Sequence, residues 1–312
     1  MPKIIIIVLN WNGLSDTIEC IESLKKIDYQ NYEIILVDNG SMDNSVAVLK
    51  EKFGDIYLIE NRKNLGFAGG NNVGIKYALK NGADFILLLN NDTKVESDFL
   101  TKLVKIANND NKIGIVGPII FSYDEPEKIY FAGGKVNWSR TRGEHINFEK
   151  KSISVIPAKA GIQTWMPDQV RHDIYGVDYI TGCCLLIKKE VVEKIGLMSE
   201  DYFLYYEDTD WCLRAQRAGY KCVLASQAKI YHKQSKSTGE FSYPYIYYHS
   251  RNGLMLCSRF RSKILAHIIS SWIFLKQIIK LVIGYKREWA KPVMKGVVDF
   301  WKGKAGKLEG YY

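Results

Sequence analysis

The sequence lacks the features of a secreted or a zinc-stabilised protein. Its six cysteines form no C-x-x-C pair and no zinc-finger spacing, a pattern that favours unpaired thiols in a reducing, cytoplasmic setting. The apolar run at residues 4–9 is too short for a signal peptide and is ended by Asn10. We therefore predict that this run is the first buried strand of a cytoplasmic protein.

Two common nucleotide-binding motifs are also absent. No segment matches GxxxxGK[ST], which argues against a P-loop kinase or ATPase. No GxGxxG follows the first predicted strand, which argues against a dinucleotide-dependent dehydrogenase. The segment 61–74 is instead rich in glycine and amides and leads into a predicted helix. Such a segment lets the backbone approach a phosphate at a helix N-terminus, although many glycine-rich helix starts are only turns.

Acidic residues are scarce near the C-terminus. Residues 251–312 contain 13 Lys or Arg and 3 Asp or Glu, whereas residues 1–250 contain 30 basic and 31 acidic side chains. A basic tail indicates an anionic membrane surface or a nucleic acid as partner. The bulk of this tail is aliphatic, whereas nucleic-acid grooves present polar basic surfaces with stacking aromatics. We therefore predict no nucleic-acid partner.

The tail also lacks an uncharged run long enough to span a bilayer. The run at 264–275 is too short, and its continuation is interrupted by Lys276 and Lys280. These lysines are four residues apart and share one helix face, which favours an amphipathic helix in the interface of an anionic membrane. The alternative is a helix packed on the body of the protein with a solvated basic edge.

Strand and helix patterns alternate through the first third of the chain. Continuous apolar strands between helices indicate a parallel sheet covered on both faces, and hence a doubly wound α/β fold. Ligands bind such sheets at the carboxyl ends of the strands. The predicted strands are 4–9, 33–37, 56–59, 85–89 and 113–116, and the predicted helices are 14–26, 43–53, 70–80 and 98–108.

The alternation weakens after about residue 117. We predict mixed strands at 130–134 and 179–187, short strands at 222–225 and 229–231, and helices at 189–195 and 208–218. The segment of about 153–174 has no clean periodicity and resembles the peptide encoded when a palindromic repeat of bacterial genomes is translated in frame. We predict that it is an inserted, exposed loop, because surface loops tolerate long insertions. The Asp, Arg and His of a segment added to a finished fold should then carry no chemistry.

Three carboxylates, Glu207, Asp208 and Asp210, lie within four positions beside an aromatic run. Such a cluster is either a solvated helix start, which the helix dipole favours, or a site of acid–base or cation chemistry. Asp92, after a predicted strand, suits Mg²⁺ or Mn²⁺, and His232 suits Mn²⁺ as a further ligand. A strand end for Asp92, a core position for His232 and a helix cap at Asp208 are the simpler interpretations.

Several motifs in the right order resemble the family 2 inverting glycosyltransferases of the GT-A fold, and in particular their bacterial rhamnosyltransferase-like subgroup. The resemblance covers roughly residues 3–240 apart from the inserted segment. The motifs are VLNWN at 8–12, VDNGS at 37–41, NLGFAGGN at 64–71, LLNND at 88–92, DYITG at 178–182, FLYYEDTD at 203–210 and YHK at 231–233.

The resemblance implies a fold and a set of site residues. The fold is α/β, with a Rossmann-like mixed sheet flanked by helices, here followed by an amphipathic helical tail. Asp208, after Glu207, matches the catalytic base, and Thr181 and Gly182 match the acceptor side. Asp92 and His232 match the metal ligands for Mg²⁺ or Mn²⁺, although the 90–92 triplet has one carboxylate where the family's D-x-D has two. The implied nucleotide-sugar contacts are Asp38 and Asn39 to the base, together with Asn10, Asn12, Asn64, Gly66, Asn71, Asn90 and Asn91.

Together with the charge pattern of the tail, the resemblance implies three regions. Residues 1–117 form a nucleotide-sugar-binding half, 118–250 an acceptor-binding and catalytic half, and 251–312 a basic, apolar, membrane-associating tail. The predicted activity is metal-assisted transfer of a sugar, L-rhamnose or another, from a pyrimidine nucleoside diphosphate to a glycan or lipid-linked acceptor. The alternative is a non-catalytic nucleotide-sugar-binding homologue. The predicted location is the inner face of the plasma membrane. The sequence is compatible with a homo-oligomer and does not determine the oligomeric state.

Overall fold

The computed structural model describes residues 1–146, 174–233 and 242–311. The predicted inserted loop at 153–174 lies outside these ranges except for its last residue, Ile174.

The first part of the chain folds as the alternating pattern predicts. Its strands are short apolar runs covered on both faces, and the residues from Ile4 to Val8 are accordingly fully buried. The elements are β1 (Ile4–Asn10), α1 (Leu14–Leu24), β2 (Tyr32–Asp38), α2 (Ser45–Lys52), β3 (Tyr57–Glu60), α3 (Gly66–Lys80), β4 (Phe85–Asn90), β5 (Thr93–Val95), α4 (Phe99–Asn108) and β6 (Ile113–Ser122).

The second part contains shorter and mixed elements. The two strands predicted at 222–225 and 229–231 form a single strand, β12, with a register shift between Ala225 and Lys229. The strand predicted at 179–187 begins only at Cys184, after a turn. The elements are β7 (Ile129–Phe131), β8 (Gly134–Asn137), β9 (Arg142–His145), β10 (Ile174–Gly176), β11 (Cys184–Lys188), α5 (Lys189–Ile195), α6 (Glu207–Arg217) and β12 (Lys221–His232).

One mixed sheet forms the centre of the molecule, with the strand order β10-β12-β6-β11-β4-β1-β2-β3. β1 is parallel to β2 and β4, and β6 is parallel to β12. β11 is antiparallel to its neighbours β4 and β6. Consequently β1, β2, β4, β6 and β12 all end at one edge of the sheet, which we call the strand-end edge. The segment that precedes β11 enters at the same edge.

In the described C-terminal part, three helices follow the sheet: α7 (Tyr243–Phe260), α8 (Lys263–Val282) and α9 (Arg287–Trp301). α7 crosses the predicted boundary between 250 and 251, and its residues Arg251 and Asn252 are buried in the body. Within the described ranges, α8 is the one helix long and apolar enough to cross a membrane by length and composition alone. The helix includes Lys276 and Lys280, which lie beyond the uncharged run at 264–275.

Candidate active site

The predicted site residues gather at the strand-end edge. Asn10 ends β1, Asp38 ends β2, Asn90 ends β4 and His232 ends β12. Asn10 and Asp38 are direct partners in the parallel register of their strands. The sheet topology therefore brings together side chains that lie far apart in the sequence.

Asp38 is enclosed by protein donors. Its Oδ1 accepts from Asn10 Nδ2 at 2.9 Å and from Ser41 Oγ at 2.6 Å. Its Oδ2 accepts from the backbone N–H groups of Gly40 and Ser41 at 3.2 and 2.9 Å. A carboxylate offers about four lone-pair positions, so these bonds use all of them. Asp38 thus shapes the turn after β2, and the predicted contact with a base requires one of these bonds to open.

Asn39 joins two loops in the same manner. Its Nδ2 donates to Asn64 Oδ1 and to the Gly66 carbonyl, both at 3.1 Å. Its Oδ1 accepts from Asn61 Nδ2 and from the Leu65 N–H, both at 3.1 Å. The amide side chains therefore hold the loop before α3 against the end of β2, and they fix the shape of the predicted nucleotide site.

The other predicted asparagines at this edge differ in availability. Asn91 Nδ2 donates to Thr17 Oγ1 at 2.9 Å, and Thr17 Oγ1 donates to Asn10 Oδ1 at 2.9 Å, which ties both asparagines to α1. Asn12 has φ of 52°, and its Oδ1 accepts a backbone N–H from the turn after β2 at 2.8 Å. The half-buried Asn90 side chain makes no hydrogen bond within the described ranges. Its amide is therefore the most available for a ligand.

Two glycines of α3 serve packing. The helix begins at Gly66, four residues before the predicted start at 70. A Cβ at Gly70 would lie 2.6 Å from Leu9 Cδ1, and a Cβ at Gly74 would lie 2.6 Å from Ile7 Cγ2. The absence of a side chain at these two positions lets α3 lie close to β1. Packing alone therefore explains both glycines, without a ligand.

The start of α3 is joined to the segment that leads into α6. Gly66 has φ of +76° and packs on the Phe203 carbonyl. The Phe67 N–H donates to that carbonyl at 2.8 Å, and the buried Asn71 donates from Nδ2 to the Phe67 carbonyl at 3.0 Å. The glycine-rich segment and the carboxylate cluster therefore belong to one connected structure.

Asp92 and His232 form the candidate metal site. Oδ1 of Asp92 lies 3.1 Å from Nε2 of His232, and both residues are buried. Thr93 pairs with His232 in the β5–β12 register, and the Lys233 N–H donates to the Asp92 carbonyl at 2.9 Å. Neither ring nitrogen of His232 makes a hydrogen bond of good geometry within the described residues.

This donor set fits a divalent cation with few protein ligands. One carboxylate and one imidazole suit Mn²⁺, and the carboxylate also suits Mg²⁺. The described part of the chain contains no group of three or more His, Cys, Asp or Glu side chains that could hold a metal ion. The remaining positions would therefore fall to substrate or water oxygens.

Asp208 lies at the start of α6 and faces the segment that precedes β11. Its Oδ2 accepts from the Gly182 N–H at 2.8 Å, and its Oδ1 accepts from the N–H and Oγ1 of Thr209 at 2.6 and 3.1 Å. Burial raises the pKa of the Asp208 carboxyl, while these hydrogen bonds and the nearby His145 oppose the rise. Among the described residues Oδ2 accepts this one hydrogen bond and keeps a lone pair, so this oxygen can accept a proton.

The predicted acceptor-side residues lie beside this carboxylate. A Cβ at Gly182 would lie 2.7 Å from the ring of Phe67, and 3.7 Å from Asp208 Cβ. Glycine therefore lets the segment pass close to both side chains. Thr181 is half-buried, and its Oγ1 accepts the Cys183 N–H at 3.4 Å.

The three clustered carboxylates have different environments. Asp210 is fully buried and pairs with Arg214 Nε at 2.7 Å and with Arg259 Nη1 at 2.8 Å. Glu207 is 4% exposed, and its Oε2 has no hydrogen-bond partner in the described part of the chain. Burial, followed by the charge of Asp208, raises the pKa of Glu207 well above its usual range. Burial therefore favours the protonated form of Glu207, and the partly exposed Asp208 is the member of the cluster that a ligand can reach.

The segment that leads into α6 has an unusual backbone. Phe203, Tyr205 and Tyr206 have φ of 64°, 67° and 76°, in the left-handed region that side chains disfavour by about 1–2 kcal/mol per residue. Such strain persists only where the surrounding structure fixes it. The fixing contacts come from α7.

Asn252 and Arg251 of α7 hold this segment, and neither was predicted from the sequence. Asn252 Nδ2 lies 2.8 to 3.0 Å from three backbone carbonyls of residues 202–205. Arg251 donates to one of the same carbonyls at 3.1 Å and to the Gly306 carbonyl at 2.9 Å. The Gly306 N–H donates to the Asp201 carbonyl at 2.6 Å. In the sequence, the pair Arg251-Asn252 looks like an ordinary polar surface of a helix. Its role becomes visible only when this part of α7 is known to be buried.

Comparison with known proteins agrees with this geometry. The family model described as glycosyl transferase family 2 matches residues 4–196. The chain belongs to this family. The recognition made from the sequence motifs is therefore confirmed, and the chain is a glycosyltransferase.

Named relatives are distant but numerous. The low-salt glycan biosynthesis hexosyltransferase of Haloferax volcanii is 28% identical over 89% of this chain and 85% of its own length. The dTDP-rhamnosyl transferase RfbF of Shigella flexneri is 26% identical over 67% of this chain and 62% of its own length. The N-acetylglucosaminyl-diphospho-decaprenol L-rhamnosyltransferase of Mycobacterium tuberculosis is 22% identical over 66% of this chain and 68% of its own length.

Solved structures confirm the predicted GT-A fold. The mannosyltransferase of Pyrobaculum calidifontis, solved with GDP-Man and Mn²⁺, gives a TM-score of 0.59 at 14% identity over 97% of this chain and 88% of that chain. GalNAc-T7, solved with UDP, GalNAc and Mn²⁺, also gives 0.59, at 16% identity over 74% of this chain and 43% of that chain.

Proposed function

We propose that this glycosyltransferase transfers a sugar, L-rhamnose or another hexose, from a pyrimidine nucleoside diphosphate to a glycan or lipid-linked acceptor with inversion. The observation that carries the proposal is the placement of Asp208. Its carboxylate is anchored by Gly182 at the same edge of the sheet where β12 presents His232 beside Asp92. A base and a cation site therefore flank one end of the sheet, where ligands of such folds bind.

Asp208 is the general base in this account. Thr209 fixes one carboxylate oxygen, and Gly182 fixes the other through a single N–H. The oxygen bonded to Gly182 then accepts the proton of the acceptor hydroxyl as that hydroxyl attacks the anomeric carbon. A positioned base of this kind contributes roughly 10²- to 10⁴-fold to a rate.

Asp92 and His232 would hold Mg²⁺ or Mn²⁺. A cation there supplies charge neutralisation for the diphosphate that leaves. Mn²⁺ is present in both solved structures of the same fold described above, and the donor set of this chain suits it. Asn90 and the loop held by Asn39 and Asn64 would contact the donor, within a donor half at 1–117 and an acceptor half at 118–250.

The donor and the location are proposed on separate grounds. The rhamnosyl transferases among the relatives support a deoxythymidine diphosphate donor and a lipid-linked acceptor. The exposed apolar side chains of α8, including Ile264, Ile268 and Val282, support peripheral attachment to the inner face of the plasma membrane. Lys276 and Lys280 on the same helix support an anionic membrane surface.

The test is nucleoside-diphosphate release from a panel of dTDP-, UDP- and GDP-sugars, with Mn²⁺, Mg²⁺ or EDTA, with and without a lipid-linked acceptor extract. We expect release from one donor that the extract stimulates and EDTA abolishes. Nucleotide binding without release from any donor, in every arm, would instead favour the non-catalytic homologue. EDTA-resistant turnover would remove the cation from the proposal.

A further inference from the structure

A groove separates α8 from the turn of the β8–β9 hairpin. Its volume is about 1110 Å³, and α8 contributes an apolar wall that includes Ile264, Ile268, Trp272 and Leu275. These side chains are among the exposed large hydrophobic residues of the chain, with Ile268 62% exposed and Trp272 57% exposed. Within the described residues nothing covers this wall.

The opposite wall of the groove is cationic. Arg140 and Arg142 line it. On the α8 side, Lys276 adds a third cation and lies over the Trp272 ring at 5.0 Å. None of the described residues lining the groove is acidic. Glu144 lies next to it and offsets part of the charge, at 3.7 Å from Arg140 Nη1 and 3.1 Å from Arg142 Nε.

The same hairpin connects the groove to the base. β9 runs from Arg142 to His145, a distance of about 10 Å at roughly 3.4 Å per residue. At the far end of this strand, His145 interacts electrostatically with Asp208 and lowers the pKa of its carboxyl. Tyr206, two residues before Asp208, donates from its hydroxyl to the carbonyl of Thr141 in the hairpin turn at 3.4 Å.

Three chemical zones therefore follow one another along the surface: an apolar wall, a pair of arginines, and a general base. An amphiphile whose lipid chain is joined through a phosphate or diphosphate to a sugar has the same three zones in the same order. Guanidinium groups pair well with phosphate oxygens, and the apolar wall suits a hydrocarbon chain.

We infer that the groove between α8 and the β8–β9 turn binds the lipid chain and phosphate of the acceptor, with Arg140 and Arg142 on the phosphate. This inference rests on the proposed function, because it assigns the acceptor of the same site. A flat bilayer surface would use the whole exposed face of α8. The groove, by contrast, joins the apolar part of α8 to arginines on a different element.

The experiment is calorimetric titration of the full chain with farnesyl diphosphate, with farnesol and with inorganic diphosphate. Excess dTDP and EDTA are present, so that a cation-dependent donor site does not contribute. We expect farnesyl diphosphate to bind at least tenfold more tightly than either of its parts. Equal binding of farnesol or of inorganic diphosphate would overturn the inference.

Matched variants locate the binding. We expect the double variant Arg140→Ala, Arg142→Ala to weaken farnesyl diphosphate binding at least tenfold. Lysine in place of alanine at position 142 of this double variant should restore part of the binding. Ile268→Ser should weaken the binding severalfold. The controls are Lys135→Ala, an exposed lysine of the same hairpin, and Val282→Ser, an exposed apolar residue of α8 outside the groove. Both should bind the probe as the wild type does, and equal losses in the controls would contradict the assignment.

A vesicle arm separates the groove from a membrane surface. Co-sedimentation with phosphatidylglycerol vesicles should change little in the double arginine variant. A loss of vesicle binding as large as the loss of farnesyl diphosphate binding would assign the arginines to the bilayer and overturn the inference. Neither measurement requires turnover, so an inactive protein that binds the probe would count against the proposed function alone.

Discussion

At the scale of single residues, the three carboxylates at the start of α6 have three different environments. Asp210 is neutralised by two arginines, Glu207 is buried without a full set of partners, and Asp208 keeps one oxygen available. The sequence places all three in one motif. Burial and hydrogen bonding determine which of them can act, and two of the partners, Gly182 and Arg259, are distant in the sequence.

Glu207→Gln should leave sugar transfer within about threefold of the wild type. Burial and the adjacent Asp208 raise the pKa of Glu207 well above its usual range. This shift favours the protonated side chain, and glutamine has the same shape without a charge. Initial rates of nucleoside-diphosphate release measure the effect. A loss of roughly 10²-fold or more, the size expected for a missing general base, would make Glu207 a charged catalytic group.

The pH dependence of transfer should report Asp208. A base must be deprotonated to act, so kcat/KM rises with pH through the pKa of the base in the free enzyme. Burial raises the pKa of Asp208, against opposition from Gly182, Thr209 and His145. We expect the acidic limb to lie above the ordinary aspartate range of about 3.9. A limb at or below that range would contradict the assignment.

Sequence motifs predicted the positions of site residues better than their contacts. Asn10, Asp38 and Asn39 lie at the strand-end edge as expected, because strand ends follow from hydrophobic runs. Their side chains, however, bind one another and the loops around them. A pattern of amides and carboxylates cannot distinguish a ligand contact from a loop support, since both need the same donors and acceptors.

At the scale of elements, local patterns predicted the α/β half closely and the later elements less well. The helix predicted at 189–195 has the observed bounds. The sequence predicts two strands in place of β12, because Ser226 and Gln227 at its centre are polar. In the structure the parallel ladder with β6 resumes after a register shift. α3 starts earlier than predicted because Gly66, at positive φ, packs on the Phe203 carbonyl.

The contact between α7 and the segment before α6 gives a prediction at this scale. Asn252→Ala removes the donor to three carbonyls of residues 202–205, and each buried group left unsatisfied costs about 1–3 kcal/mol. We expect the free energy of unfolding to fall by about 2–4 kcal/mol, and kcat to fall more than nucleotide affinity. The exposed Asn111→Ala is the control. An active, equally stable Asn252 variant would show that α7 does not position Asp208.

For the whole molecule, the C-terminal region is both part of the body and a separate surface. Gly306 contacts Asp201 and Arg251, and the Leu308 N–H donates to Tyr248 Oη at 2.7 Å. A composition argument cannot separate these contacts from the exposed face of α8, because basic and apolar residues occur in both. Removing the tail would therefore disturb the base segment as well as any membrane contact.

Substitutions on the exposed face of α8 test membrane attachment without that complication. Ile279, Val282 and Ile283 are 50%, 77% and 68% exposed, and burying a side chain of this kind is worth about 1.5–3 kcal/mol. We expect the triple serine variant to lose at least tenfold in affinity for phosphatidylglycerol vesicles while its thermal unfolding stays unchanged. Unchanged co-sedimentation would mean that this face does not contact the membrane.

The central claim is that this chain transfers a sugar with Asp208 as the base. The most direct measurement compares acceptor-stimulated nucleoside-diphosphate release by the wild type and by Asp208→Asn, with nucleotide affinity measured in parallel. Our account predicts that the variant loses about 10²-fold or more in transfer rate and binds the nucleotide with unchanged affinity. Transfer at the wild-type rate by the Asp208→Asn variant would contradict it.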